Sequence, residues 1–112
     1  MHANSSIWRW WPSAILTFGL AVAPAAASER PLDPEKLTHL VRQDCGGCHG
    51  LTLKGGLGKP LTAEHLEQWS RDQLAFIILN GVPGTPMPGW RALMSEDEAR
   101  WIADVLKRGT LR

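Results

Sequence analysis

Cys45-Gly46-Gly47-Cys48-His49 is the stretch whose reading decides the fold. Two thiols three residues apart, with histidine next in line, form the c-type haem attachment pattern. Each thiol can add to one of the two vinyl groups on one edge of a haem, and the adjacent imidazole then falls beneath the iron as proximal ligand. On this reading Cys45 and Cys48 hold the macrocycle covalently, His49 is the first axial ligand, and Gly46 and Gly47 let a short loop bend tightly. Two other readings use the same residues. A Cys45–Cys48 disulfide would suit a thioredoxin-like site, which expects surrounding strands that this chain does not offer. A zinc site would need a further ligand, drawn from His39 or His65, in a sequence with two cysteines in all, and zinc spacing does not ordinarily set one ligand directly beside another.

Upstream, residues 1–27 read as an export signal. Arg9 is the only firm side-chain charge there, Ala14 to Ala23 is an apolar core, and Ala25-Ala26-Ala27 suits a signal peptidase. Cleavage after Ala27 would leave Ser28 to Arg112 as a single domain. Retention as a membrane anchor is the rival reading; against it, the apolar run falls short of the roughly 20 residues needed to span a bilayer, and Pro12 and Pro24 bracket it. Export agrees with the haem motif, because thioether formation in bacteria takes place outside the cytoplasmic membrane. The expected location is the periplasm, with no stable membrane span after cleavage.

A domain of about 85 residues has little polypeptide core. With both thiols committed to haem no structural disulfide is available, so the porphyrin is expected to form the centre of the core and the haem-free chain to be largely unfolded. The 12 basic residues stand against 11 acidic ones, and losing Arg9 with the leader balances them. No net field points to nucleic acid.

The mature chain reads as all-helical. Asp33 caps a helix with Pro34 at its first position; Leu37, Leu40 and Val41 follow at helical spacing, and the helix runs into Cys45. His39 points away from that stripe and reads as a solvated side chain. Gly50 to Pro60 is a glycine-rich loop. A carbonyl near Pro60 is a candidate acceptor for the outer nitrogen of His49, which would fix the ring and increase its donation to iron; a plain surface connection is the other reading of this loop. Thr62 caps a short helix through Leu66. Ser70 with Gln73 and Ser95 with Glu98 give capping boxes for two longer helices, ended by Asn80-Gly81 and by Gly109. Trp101 is expected to pack in the core.

Between those two helices, Gly81 to Trp90 holds three prolines around Met87. A lone methionine in a Pro/Gly loop has little core to fill, and Met87 reads as the distal iron ligand, a soft donor that favours reduced iron. Met94 and His65 are the competing ligands. Met94, directly before the Ser95 cap, has a packing role available to it, whereas His65 would give a bis-histidine centre of lower potential.

Taken together, the haem motif, the Met87 loop and the closing amphipathic helix resemble the class I monohaem cytochromes c over Asp33 to Gly109. The resemblance implies first and last helices crossing beside the haem, a prolyl carbonyl buttressing the histidine (here Pro60 and His49), and Met87 as the second ligand. A narrower likeness rests on Cys45 through Gly58, on Gly-Thr-Pro-Met-Pro-Gly-Trp at residues 84–90, and on Leu-Met-Ser-Glu-Asp-Glu-Ala-Arg-Trp-Ile at residues 93–102. It is similar to the small periplasmic cytochromes c associated with denitrification and cytochrome cd-type nitrite reductase. That likeness implies redox partner proteins: electron delivery to nitrite reductase, or a part in maturing its d-type haem. A six-coordinate iron leaves no place for substrate, so outer-sphere electron transfer is expected and the protein is not expected to be an enzyme by itself. Were Met87 to dissociate readily, a haem-based gas sensor would be the alternative.

Overall fold

The computed structural model describes residues 30–111; the predicted leader and its processing site lie outside the described residues. Among the described residues every regular element is helical, and no strand forms. Helix α1 (Pro34–Leu40) starts as its sequence dictates, with the Asp33 carboxylate accepting from the Lys36 N–H at 3.1 Å and Pro34 in the first turn. The chain does not stop at Cys45. It widens into a π-helical turn over Val41–Cys45, in which the Gly46 N–H donates to the Val41 carbonyl five residues back, and tightens again into α2 (Gly46–His49). The attachment motif is therefore a helical turn rather than a bent loop. Gly46 has ordinary right-handed helical angles, so the turn makes no demand there that only glycine can meet. Gly50, at φ 90°, breaks the helix where a side chain would run into the Gly55 carbonyl.

The remaining helices begin at the expected caps. Thr62 caps α3 (Ala63–Leu66), Ser70 and Gln73 form a reciprocal capping box for α4 (Arg71–Asn80), and Ser95 and Glu98 form another for α5 (Glu96–Lys107). Each box satisfies two main-chain N–H groups that the first helical turn leaves without partners. At the far end of α5, Gly109 at φ 64° closes a Schellman turn: its N–H donates to Leu106 and that of Thr110 to Val105.

Helix α5 is the spine. Ala99, Ile102, Ala103, Val105 and Leu106 bury one face, and Glu96, Asp97 and Lys107 hold the other. α4 packs on it most extensively, α3 and α1 pack beside it, and Leu37, Val41, Leu66, Leu74, Leu79 and Met94 complete a core with no buried polar side chain among the described residues. Trp101 and Trp90 lie half-buried against this core. The Lys107 ammonium clamps α3 to α5 from outside by donating to the carbonyls of Leu66 (3.2 Å), Glu67 (3.5 Å) and Trp69. The Leu66 carbonyl also accepts the Trp69 N–H (3.0 Å), so main chain and ammonium together close the turn that follows α3.

Candidate haem site

His49, the last residue of α2, is half-buried, and its ring is held by main chain alone. Nδ1 lies 2.6 Å from the Lys59 carbonyl. A carbonyl only accepts, so Nδ1 carries a proton and Nε2 is the nitrogen left for a metal. The buttress thus sits one residue earlier than expected. Its oxygen belongs to Lys59, on the peptide bond that Pro60 closes, and not to Pro60 itself. The Leu61 N–H bonds to the Leu53 carbonyl (2.8 Å) and the Pro60 ring lies against Gly55, which turns the Lys59 carbonyl, rather than the next, toward the imidazole.

Gly58 supplies a second restraint that sequence reading did not single out. A Cβ there would fall 2.7 Å from both Nδ1 and Cε1 of His49 and 3.2 Å from Nε2, so the ring lies directly on the glycine backbone. Gly58 is itself tied down: its N–H donates to the Cys48 carbonyl (2.8 Å) and its carbonyl accepts from Gly56 (3.0 Å). The loop carries local strain at Leu53, whose φ of 59° is unusual for a leucine; its burial in the core and its bonds to Gly50 and Leu61 hold it there.

The two thiols of the motif are unpaired; Cys45 is half-buried and Cys48 exposed. Burial, with the neighbouring Asp44 carboxylate adding to it, pushes the Cys45 thiol up to about 11, which keeps it protonated at neutral pH. Among the described residues no three His, Cys, Asp or Glu side chains gather into a zinc-binding group.

Met87 is half-buried at the centre of a loop whose two ends are stitched to α4. The carbonyls that α4 leaves open are taken up in order: Ile77 by Gly81 (2.8 Å), Ile78 by Trp90 (3.0 Å) and Leu79 by Arg91 (3.1 Å). Gly81 and Gly89 make this possible, since a side chain at Gly81 would strike the Met87 carbonyl at 2.6 Å and one at Gly89 the Leu79 carbonyl at 2.7 Å. Inside the loop the Thr85 hydroxyl donates to the Val82 carbonyl (2.7 Å) and accepts from the Met87 N–H (3.3 Å). Of the competing ligands, Met94 is buried in the core and His65 sits half-buried on α3, while His39 is exposed.

Residues 21–105 match the family model described as cytochrome c oxidase, cbb3-type, subunit III. The chain is 54% identical over 94 residues to "Cytochrome c55X" of Paracoccus denitrificans (strain Pd 1222), covering 82% of this chain and 86% of that one. It superposes on the solved structure of "c-type cytochrome NirC" with a TM-score of 0.69 at 47% identity, covering 71% of this chain and 98% of the other. It is also 35% identical over 85 residues to the Pseudomonas aeruginosa "Dihydro-heme d1 dehydrogenase", matching 75% of this chain but 16% of that longer protein. Fold and matches define a small c-type cytochrome with the class I fold, a carrier of covalent haem c rather than an enzyme. Within that class the chain belongs to the cytochrome c55X family, the c-type cytochromes of denitrification.

The residues present fit that haem. Two unpaired thiols lie on one helical turn, an imidazole has Nδ1 engaged by a carbonyl and Nε2 left for a metal, and a thioether stands on an anchored loop. Haem c supplies one-electron iron chemistry when bound. The chain's own part is to fix the tautomer and plane of His49 and the position of Met87.

Proposed function

We infer that the protein is a periplasmic one-electron carrier of denitrification. Cys45 and Cys48 hold the haem, His49 and Met87 ligate its iron, and cd-type nitrite reductase receives the electron. The observation that carries this reading is the pair of rigid mounts. His49 is held by Gly58 and the Lys59 carbonyl, and Met87 by main-chain bonds from both ends of its loop. Ligands that do not move on oxidation suit a carrier, because little must rearrange when the charge changes. The leader pattern supports export, and no helix among the described residues is long and apolar enough to cross a membrane.

The test is the visible and near-infrared spectrum of the purified holoprotein beside Met87→Ala. A low-spin c-type spectrum with a methionine-to-iron charge-transfer band that vanishes in the variant is expected. A band that is absent from the start, or that survives the substitution, refutes the ligand assignment.

A second reading is favoured by the similarity to a dihydro-haem d1 dehydrogenase. An enzyme so named removes electrons from a haem precursor, and a small cytochrome is a fitting acceptor for them. Deleting the gene separates the two roles: a donor's loss leaves nitrite reductase fully loaded but short of electrons, whereas a maturation role leaves it lacking d-type haem.

A further inference from the structure

The loop that carries Met87 is short of main-chain donors, because Pro83, Pro86 and Pro88 bring no N–H. Its base is Val82, next to the Gly81 that bonds back to α4. Pro83-Gly84, with Gly84 at φ 76°, makes the tight turn that such a pair favours, closed by the Thr85 N–H on the Val82 carbonyl (3.2 Å). Val82 and Met87 are then bonded across the loop in two ways. The Val82 N–H donates directly to the Met87 carbonyl (3.3 Å). The return bond is not direct: the Met87 N–H donates to the Thr85 hydroxyl (3.3 Å), and that hydroxyl donates to the Val82 carbonyl (2.7 Å). A group placed there must accept on one side and donate on the other, which a hydroxyl does and a methyl does not.

Resting on the reading of Met87 as the distal ligand, we propose that Thr85 is its positioning residue: the hydroxyl relays Val82 to Met87 and so decides how firmly the thioether stays on the iron. The neighbouring prolines make the relay effective. Pro86 confines the backbone of Thr85, and Pro88 that of Met87, to extended conformations, while the branched Thr85 side chain has few rotamers. With both backbones confined, fixing the Met87 amide fixes the direction in which its side chain leaves the loop. Releasing the thioether lets Met87 move away from Val82 and exchanges the relay for water, so each relay bond weighs on the side of the ligated state. Thr85 acts through Met87 and is not itself a ligand.

The experiment titrates imidazole, which competes for the sixth position of the iron, into the oxidised holoprotein, and records the near-infrared band and the midpoint potential alongside. Thr85→Val keeps the shape of the side chain and removes the hydroxyl. It is expected to raise the imidazole affinity about fivefold, the worth of one such hydrogen bond, to weaken the methionine-to-iron band, and to lower the midpoint potential, because methionine ligation favours reduced iron. Thr85→Ser should hold all three readings at wild-type values. Thr110→Val removes a hydroxyl that likewise donates to a carbonyl, that of Val105 in α5 (3.2 Å); it should lower the urea midpoint and leave the three readings alone. Wild-type readings in Thr85→Val, a Thr85→Ser as impaired as Thr85→Val, or an equal opening of the iron in Thr110→Val would each overturn the proposal, while loss of the band in Met87→Ala still upholds the ligand. A wild-type protein without the band, or a band that survives in Met87→Ala, removes the ligand reading and this proposal with it.

Discussion

At His49 the elements that matter most have no side chain of their own. Gly58 acts by lacking one, and Lys59 acts through its carbonyl, so any residue at 59 would serve. This explains what was legible here. The Cys-X-X-Cys-His spacing can be read from residue type because its chemistry resides in side chains. The buttress could be read only to within a residue, since a main-chain acceptor leaves no signature in the sequence. Gly58→Ala tests the restraint. The new methyl group pushes the ring off the Lys59 carbonyl, His49 loses imidazolate character, and oxidised iron is stabilised less. The midpoint potential of the holoprotein is expected to rise by potentiometry, with a high-spin fraction appearing by electron paramagnetic resonance. Lys59→Ala should leave both readings at wild-type values.

Among the elements, the helix starts were the most legible part of the chain, because a cap is a local agreement between one side chain and the N–H groups two or three residues on. Asp33, Thr62, Ser70 and Ser95 all cap where their sequences place them. Ser95→Ala should cost about 1 kcal/mol, read as a lower urea midpoint with an unchanged slope, and should leave the haem spectrum alone because the box serves only the first turn of α5. The Met87 loop responds differently. Gly81 sits at φ 71° and ψ −171°, a region that costs other residues on the order of 1–3 kcal/mol, and its missing side chain is what lets the loop close. Gly81→Ala is therefore expected to lower stability and also to weaken the methionine-to-iron band, a coupling that a purely structural lesion such as Ser95→Ala would lack. The π-helical turn and the Lys107 clamp were not legible. Both depend on how α1 and α3 meet α5, which no local pattern encodes.

For the molecule as a whole, the class was readable because one motif and three helices agreed, while the packing around α5 had to be seen. The side chains in the ion pairs of Arg71, Arg91 and Arg100 are 43–71% open to solvent. Such pairs are worth at most about 1 kcal/mol each, so they shape the surface more than they stabilise it. What remains is a small apolar core beside half-buried His49, Cys45 and Met87, the residues to which the proposed function gives the haem. Removing the haem, or blocking its attachment with Cys45→Ala and Cys48→Ala together, is expected to abolish cooperative thermal unfolding by circular dichroism. A sharp native-like transition in the haem-free chain would show the core to be self-sufficient.

The wide turn at Val41–Cys45 gives the first helix two independent settings. Leu37 and Val41 must face α5, and the thiols must face the cofactor. A regular helix would lock the angle between those two directions to the fixed advance of each residue. One extra residue in the winding acts as a phase adjuster, rotating the attachment turn relative to the packing stripe while both remain on one continuous rod. The core side can then exchange bulk without turning the thiols, and the haem side can be re-aimed by lengthening or shortening that single turn. A chain built this way can change what lies behind its cofactor and what lies in front of it separately.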